Sequence, residues 1–305
     1  MPQTVTGQVI AAFGRHMLVR LEDGAERRAR PFGRALTVVC GDQVRCRIDA
    51  HHEELHVLEV INRRNALYRS NLRGVAEPVV ANLTGLLVVL APLPAPDFFV
   101  IDRYLAAATS AGIAATLVLN KADLGVDEAV AAELAVYLAC GYGSLLCSAE
   151  AALGLDELRA ALAPGSVAAL VGQSGVGKSS LVRCLVPGLE IEIGALVRAE
   201  EGRHTTTAAR RYELPHGAAL IDSPGVRDFA PAVESLDERS LGFVEVERLA
   251  PGCRFADCRH MREPGCAVQA AAQSGAMHPR RYESYRRLRR LREELTAARG
   301  PKKAR

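Results

Sequence analysis

The run Gly172-Gln173-Ser174-Gly175-Val176-Gly177-Lys178-Ser179-Ser180 follows the pattern GxxxxGK[ST]. Chemistry at such a loop is phosphate binding. Its glycines let successive backbone N–H groups turn inward, and a helix opening there adds partial positive charge. Lys178 is placed to bridge β- and γ-phosphates, and Ser179 to hold Mg²⁺. The chain has only four lysines (Lys121, Lys178, Lys302 and Lys303) against 34 arginines. Arginine is used wherever either cation would serve, so an interior lysine marks a need for a compact ammonium.

The other interior lysine lies in Asn120-Lys121-Ala122-Asp123, after an apolar run. A carboxylate at Asp123 can accept from both N1–H and N2–H₂ of guanine, a pair that adenine lacks, and would go unpaired against adenine. The Lys121 stem can lie over the base. A helix N-cap is the competing role for Asp123. Ser148 and Ala149 end the next apolar run, where the Ala149 N–H can meet guanine O6. In Leu220-Ile221-Asp222-Ser223-Pro224-Gly225, Asp222 can reach Mg²⁺ through water and the Gly225 N–H can bind a γ-phosphate. The segment Gly202-Arg203-His204-Thr205-Thr206-Thr207 lies between, and Thr206, in preference to Thr205, is expected to complete the Mg²⁺ shell.

A water-positioning glutamine would follow the glycine of an Asp-x-x-Gly segment in a Ras-like enzyme. Val226 stands there and cannot do this. His204 is therefore the candidate catalytic residue, orienting water; a solvent-exposed loop histidine is the competing assignment, and Arg203 can pair with phosphate instead. Separately, Cys253, Cys258, His260 and Cys266 form Cys-x4-Cys-x-His-x5-Cys. Three thiolates and one imidazole suit a closed, structural, tetrahedral zinc site. The stretch has too few apolar residues to fold without such a staple.

These residues need strands and helices to hold them. Solid apolar runs at 86–90, 115–119 and 167–171 predict strands buried on both faces, with short strands at 145–146 and before Asp222. Helices are expected over 97–110, 127–138 and 156–162. This alternation predicts an α/β, mostly parallel, doubly wound sheet. Residues 5 to 61 instead show short alternating strands, at 8–10, 17–21, 36–39, 44–48 and 55–60, which predict a small β-barrel, OB-like in preference to SH3-like. Residues 62–81 read as a basic linker or exposed loop. A final helix over 279–299 has an apolar stripe of Tyr282, Tyr285, Leu288, Leu291 and Leu295. The expected domains are 1–66 (barrel), 67–234 (nucleotide domain) and 235–305 (zinc-binding domain with the basic helix).

The chain of 305 residues is 49% hydrophobic and 24% charged, which excludes a disordered polymer. Prolines at 92, 94 and 96 interrupt the longest apolar stretch, so no membrane helix is expected. Met1-Pro2-Gln3-Thr4 does not resemble a secretory leader, and five further cysteines lie singly in apolar stretches, so a reducing cytoplasm is expected. Residues 278–305 carry 11 Lys and Arg against 3 acidic residues, whereas the remainder has a charge of −5. Such a tail suggests a polyanionic partner. The barrel segment is nearly neutral, so RNA binding there would have to be local.

In Ras-like GTPases the phosphate loop precedes Asn-Lys-x-Asp; here it follows. The order Asn120–Asp123, Ser148-Ala149, Gly172–Ser180, Asp222–Gly225 resembles the circularly permuted GTPases. The N-terminal barrel, the Gly202–Thr207 segment and Cys253–Cys266 make the resemblance closest to the RsgA (YjeQ) family, over about residues 7–295. That resemblance implies a GTPase that binds the small ribosomal subunit and its rRNA in late assembly, is stimulated by it, and takes GTP, GDP and Mg²⁺ as well as zinc; a monomer is expected. A non-enzymatic, GTP-dependent RNA-binding switch is the alternative, and a phosphate-loop ATPase is disfavoured by Asp123.

Overall fold

The computed structural model describes residues 4–33, 35–48, 54–71, 74–186, 188, 209–222 and 230–298. Five strands open the chain: β1 (Thr4–Phe13), β2 (His16–Leu21), β3 (Glu26–Pro31), β4 (Gln43–Ile48) and β5 (Leu55–Ile61). They pair in the order β1-β2-β3-β5-β4, and β4 closes back on β1. Only β3–β5 is parallel among these pairings. This is the five-stranded Greek-key barrel of the OB type, filled by Val9, Met17, Val19, Val44, Leu55 and Val57.

Two barrel details depart from expectation. Residues 36–39 are irregular, and Glu26–Pro31 is a strand in their place. Ala29 is the one fully buried side chain of that strand; Arg27, Arg28 and Arg30 point to solvent, so no apolar alternation announces it. The expected linker is also ordered. It contains β6 (Ala66–Ser70) and β7 (Ala76–Ala81), an antiparallel pair. Leu67 and Val80 face the main core while polar residues face outward. Arg63 anchors its entrance on the buried Asp42, with Nε and Nη2 at 2.8 and 2.6 Å from the carboxylate.

The nucleotide-domain strands β8 (Gly85–Leu90), β9 (Ala114–Leu119), β10 (Gly143–Leu146), β11 (Val167–Val171), β12 (Ala209–Glu213) and β13 (Ala219–Asp222) follow in the order β10-β9-β8-β11-β13-β12. All pairings are parallel except β12–β13. β12 also pairs with β1, so barrel and central sheet are hydrogen-bonded into one eleven-stranded sheet. Helices α1 (Phe98–Ser110) and α2 (Glu128–Ala139) pack on one face, with Asp97 and Asp127 capping their first turns. Helices α3 (Leu155–Ala160) and α4 (Lys178–Leu185) pack on the other. The doubly wound α/β architecture is as expected.

Beyond β13 come α5 (Val244–Leu249), α6 (Ala267–Ser274) and α7 (Pro279–Ala298). Tyr285 and Leu288 of α7 are fully buried, and Tyr282, Leu291 and Leu295 pack against the same core, as the stripe predicts. The basic face is not wholly solvated, however. Arg281 and Arg289 are buried, and Arg280 and Arg292 also turn inward to protein acceptors. Arg281 pairs with Asp102 at 2.8 Å and Glu245 at 2.6 Å. Arg286, Arg287 and Arg290 face outward around Glu283. No helix among the described residues is long and apolar enough to cross a membrane. Burial pushes the Cys40 thiol up to about 12 and Cys147 to about 11, in keeping with inert core cysteines.

Candidate nucleotide site and metal centre

Asn120 follows β9, Ser148 and Ala149 follow β10, Gly172–Gly177 follow β11, and Asp222 ends β13. All four segments emerge at the carboxyl ends of parallel strands, the edge where open α/β sheets bind ligands. Two glycines permit close approaches there. A Cβ on Gly172 (φ +147°) would lie 2.1 Å from the Val89 carbonyl oxygen, and one on Gly177 (φ +91°) would lie 2.3 Å from Asn120 Nδ2. α4 starts directly after Gly177, so its N-terminus faces the loop interior.

Asn120 is the centre of the site, almost wholly buried. Its Nδ2 donates to the Val176 carbonyl at 2.9 Å, and its Oδ1 accepts from the Ala149 N–H at 3.1 Å. One amide thus joins three segments that are far apart in the chain. Lys121 adds a second brace, donating to the carbonyls of Gly175 at 2.7 Å and Leu93 at 3.0 Å. Lys178 Nζ donates to the carbonyls of Gly172 at 2.8 Å and Gln173 at 2.6 Å, which holds the ammonium within the loop. Asn120, Lys121, Ala149, Gly177 and Ser180 line one cleft of about 360 Å³, together with Glu150, Arg183 and Cys184. Larger hollows lie elsewhere, one of about 850 Å³ beside the cysteine cluster; residue chemistry, not size, singles out this cleft.

The remaining expected residues fall into three groups. Asp123 sits on the exposed turn Ala122–Leu124 just beyond the cleft lining, and its carboxylate has no hydrogen-bond or ion partner among the described residues. Ser174 and Ser179 are exposed on the loop and at the start of α4, while Asp222 ends the strand beside β11. The Ala149 N–H, expected to meet guanine O6, is directed at Asn120 instead. Ser148 orders its loop by accepting from the Ala151 N–H at 2.9 Å. His204, Thr206 and Gly225 lie outside the described residues, as do Arg203, Thr205 and Val226. The sequence places a turn between β8 and α1 but does not tie it to the site: the Asp97 N–H donates to Gln173 Oε1 at 2.8 Å, and Leu93 supplies the carbonyl under Lys121. Only its three prolines hinted at a rigid brace.

Cys253, Cys258, His260 and Cys266 converge, with their ligand atoms all within 4.8 Å of one another. His260 Nδ1 lies 3.5 Å from Cys253 Sγ and 3.4 Å from Cys266 Sγ, and the two sulfurs are 3.9 Å apart. Bonds of about 2.3 Å to sulfur and 2.0 Å to nitrogen around a tetrahedral ion require separations of about 3.8 and 3.5 Å. The set fits such an ion. Glu263, also missed, holds the loop: its carboxylate accepts from the backbone N–H groups of Arg259, Met261 and Arg262 at 2.8–2.9 Å. Burial opposes its ionisation, but these donors prevail and bring Glu263 down to about 2.

The sequence profile of the RsgA GTPase family matches residues 60–231. The small ribosomal subunit biogenesis GTPase RsgA of Pseudomonas aeruginosa (strain LESB58) is 46% identical over 93% of this chain and 84% of that protein. Its counterpart in Azotobacter vinelandii (strain DJ / ATCC BAA-1303) is 45% identical over 92% and 84%. In three dimensions the chain is similar to YjeQ from Thermotoga maritima, with a TM-score of 0.69, 25% identity and coverage of 96% and 99%. It shares its fold with YloQ, a circularly permuted GTPase, at a TM-score of 0.66, 22% identity and coverage of 98% and 97%. A GTP-hydrolysing enzyme is thereby favoured over a non-enzymatic switch. The permuted order of motifs in the sequence and the order of strands in the sheet have one common explanation: this chain belongs to the RsgA GTPase family.

Proposed function

We propose that the protein binds the small ribosomal subunit during late maturation, hydrolyses GTP there and departs on hydrolysis. The observation that carries the nucleotide assignment is the Asn120 amide, which ties the base-side and phosphate-side segments together. The biogenesis role rests on that of the relatives. In this reading Asp123 pairs with the guanine edge, with Lys121 and Ala149 beside the base. The loop 172–180 wraps the phosphates, and Lys178 moves from its carbonyl partners to the β- and γ-oxygens. Ser179, Asp222 and Thr206 would hold Mg²⁺, which when bound with GTP would offset developing phosphate charge, and Gly225 would contact the γ-phosphate. His204 orients the attacking water. The water oxygen bonds to the γ-phosphorus as the bridge to GDP breaks, giving GDP and inorganic phosphate.

Zinc is the proposed ion for Cys253, Cys258, His260 and Cys266, in a structural role. The division 1–66, 67–234 and 235–305, a monomeric state, a cytoplasmic location and contact with rRNA complete the proposal. The test is GTP turnover with purified small or large subunits added. Small subunits should raise turnover at least about tenfold, a fall in barrier of about 1.4 kcal/mol, and large subunits should not. Equal response to both, or to neither, would remove the assignment.

A further inference from the structure

We infer that Arg103 is a positioning residue for GTP hydrolysis: through the Pro231 carbonyl it fixes the point at which the chain returns from the segment that carries Asp222 and Gly225. The inference rests on the function proposed above, in which that segment meets Mg²⁺ and the γ-phosphate. Arg103 is not part of the cleft lining and acts through the backbone it holds.

One end of the segment is set by β13, which ends at Asp222 and is paired with β11 and β12. After residues 223–229 the described chain resumes at Ala230, and Pro231 is its first buried residue. Arg103 of α1 donates to the Pro231 carbonyl from Nε at 2.9 Å and also from Nη2. The backbone adds a bond from the Ala232 N–H to the Tyr68 carbonyl at 2.8 Å, beside an isolated bridge between Pro231 and Arg69. Pro231 has no N–H to give to a ladder; the guanidinium fork supplies the fixing instead.

Stability alone explains this arrangement poorly. Arg103 is half-buried and forms no ion pair among the described residues. Burial pulls its guanidinium below the ordinary value, with Tyr104 and Glu234 opposing. Withdrawing a charge from water without a counter-ion is costly. The joint between α1 and the C-terminal helices already has Asp102 with Arg280 and Arg281. α1 has a second link to the nucleotide site: at its start the Asp97 N–H donates to Gln173 Oε1 of the phosphate loop at 2.8 Å. Arg103 lies six positions further on, about 9 Å along the helix, and Ile101, Tyr104 and Leu105 fasten that stretch in the core. One rigid element thus ties the phosphate loop to the far end of the segment bearing Gly225. A displacement of about 1 Å at the reacting group can cost about a hundredfold in rate. GDP has no γ-phosphate for Gly225 to meet, so its affinity should be indifferent to Arg103.

The test compares the full-length parent, Arg103→Met and Arg103→Lys in steady-state GTP turnover with saturating small subunits, and in calorimetric titration with GDP. Arg103→Met keeps an unbranched stem and removes both donors. It should lower kcat and kcat/KM together by about tenfold or more and leave GDP affinity unchanged. Arg103→Lys, with a compact donor in place of the fork, should fall between Arg103→Met and the parent. Parental kcat in Arg103→Met would overturn the inference. So would GDP affinity lost in step with turnover, the mark of a merely structural role. If circular dichroism shows Arg103→Met unfolded, Arg103→Lys decides on the same two readouts: reduced kcat with unchanged GDP affinity supports positioning, and any other pairing overturns it. A parent that small subunits do not stimulate counts against the proposed function instead, and single-turnover hydrolysis without subunits then compares the same three proteins.

Discussion

Asn120 does what its motif alone does not disclose. The pattern Asn-Lys-x-Asp singles out Asp123 through its base-reading carboxylate, yet the asparagine is the residue that connects three segments. Truncating it removes two hydrogen bonds to backbone groups, together with a longer one from the Cys147 thiol, and leaves the Ala149 N–H unpaired. At about 0.5–1.5 kcal/mol for each lost bond, Asn120→Ala should weaken GTP and GDP alike by about tenfold to a hundredfold in equilibrium titrations; unchanged affinity would show that the bridge is idle. His204→Ala should instead abolish subunit-stimulated turnover and leave GTP affinity within a few-fold. Stimulated turnover at the parental rate would remove His204 from the mechanism. The phosphate loop and the Cys₃His set were legible because both chemistries demand fixed residue types at short spacing. The Gln173–Asp97 and Leu93–Lys121 braces were not, since backbone atoms supply half of each contact and any sequence offers those.

Elements were legible where burial imposes a period. The buried strands of the central sheet and helices α1 and α2 were readable from solid apolar runs and Asp caps. Strand β3 was not, because its outward positions are charged and its single buried residue is a small alanine. The hairpin β6–β7 was hidden by its basic flanks, although Leu67 and Val80 bury against the core and Val79 packs beside them. The 253–266 loop has almost no periodicity to read; Glu263 accepts from three backbone N–H groups within it, and the proposed zinc ion would hold its four ligands. Chelation of the ion should therefore unfold this loop, visible as loss of amide-exchange protection over residues 253–266. Glu263→Ala, which frees three backbone N–H groups, should lower metal affinity by about tenfold, within the range typical for outer-shell partners. Affinity equal to that of the parent would make Glu263 a bystander.

At the scale of the molecule, the joint between nucleotide domain and C-terminal helices is electrostatic as well as apolar. Asp102 of α1, fully buried, receives Arg280, Nη1 of Arg281 and the Tyr137 hydroxyl, while Glu245 of α5 accepts from Nε and Nη2 of Arg281. The tail's formal +8 overstates its free charge, because helix α7 spends several arginines inside the protein. Asp102→Asn should cost about 3–5 kcal/mol in chemical denaturation by leaving Arg281 under-compensated, whereas Arg287→Glu at the surface should change stability little. Burial raises the cost of charging Glu245, but the hydrogen bonds and charge of Arg281 outweigh it and hold this carboxyl below its ordinary range. A depressed carboxyl stabilises the fold fully above the ordinary glutamate range and loses that contribution as the pH falls below it. Glu245→Gln should therefore flatten the acid limb of the stability curve; an unchanged limb would place the acid sensitivity elsewhere.

The central claim is that 120–123 and 172–180 grip one guanine nucleotide, and calorimetric titration of the full-length protein with GTP and with ATP tests it most directly. The account predicts GTP binding tighter than ATP by about tenfold to a hundredfold, the worth of a carboxylate paired with two donors that adenine lacks, and a preference for xanthosine triphosphate over GTP in Asp123→Asn. Equal affinity for ATP and GTP would contradict it.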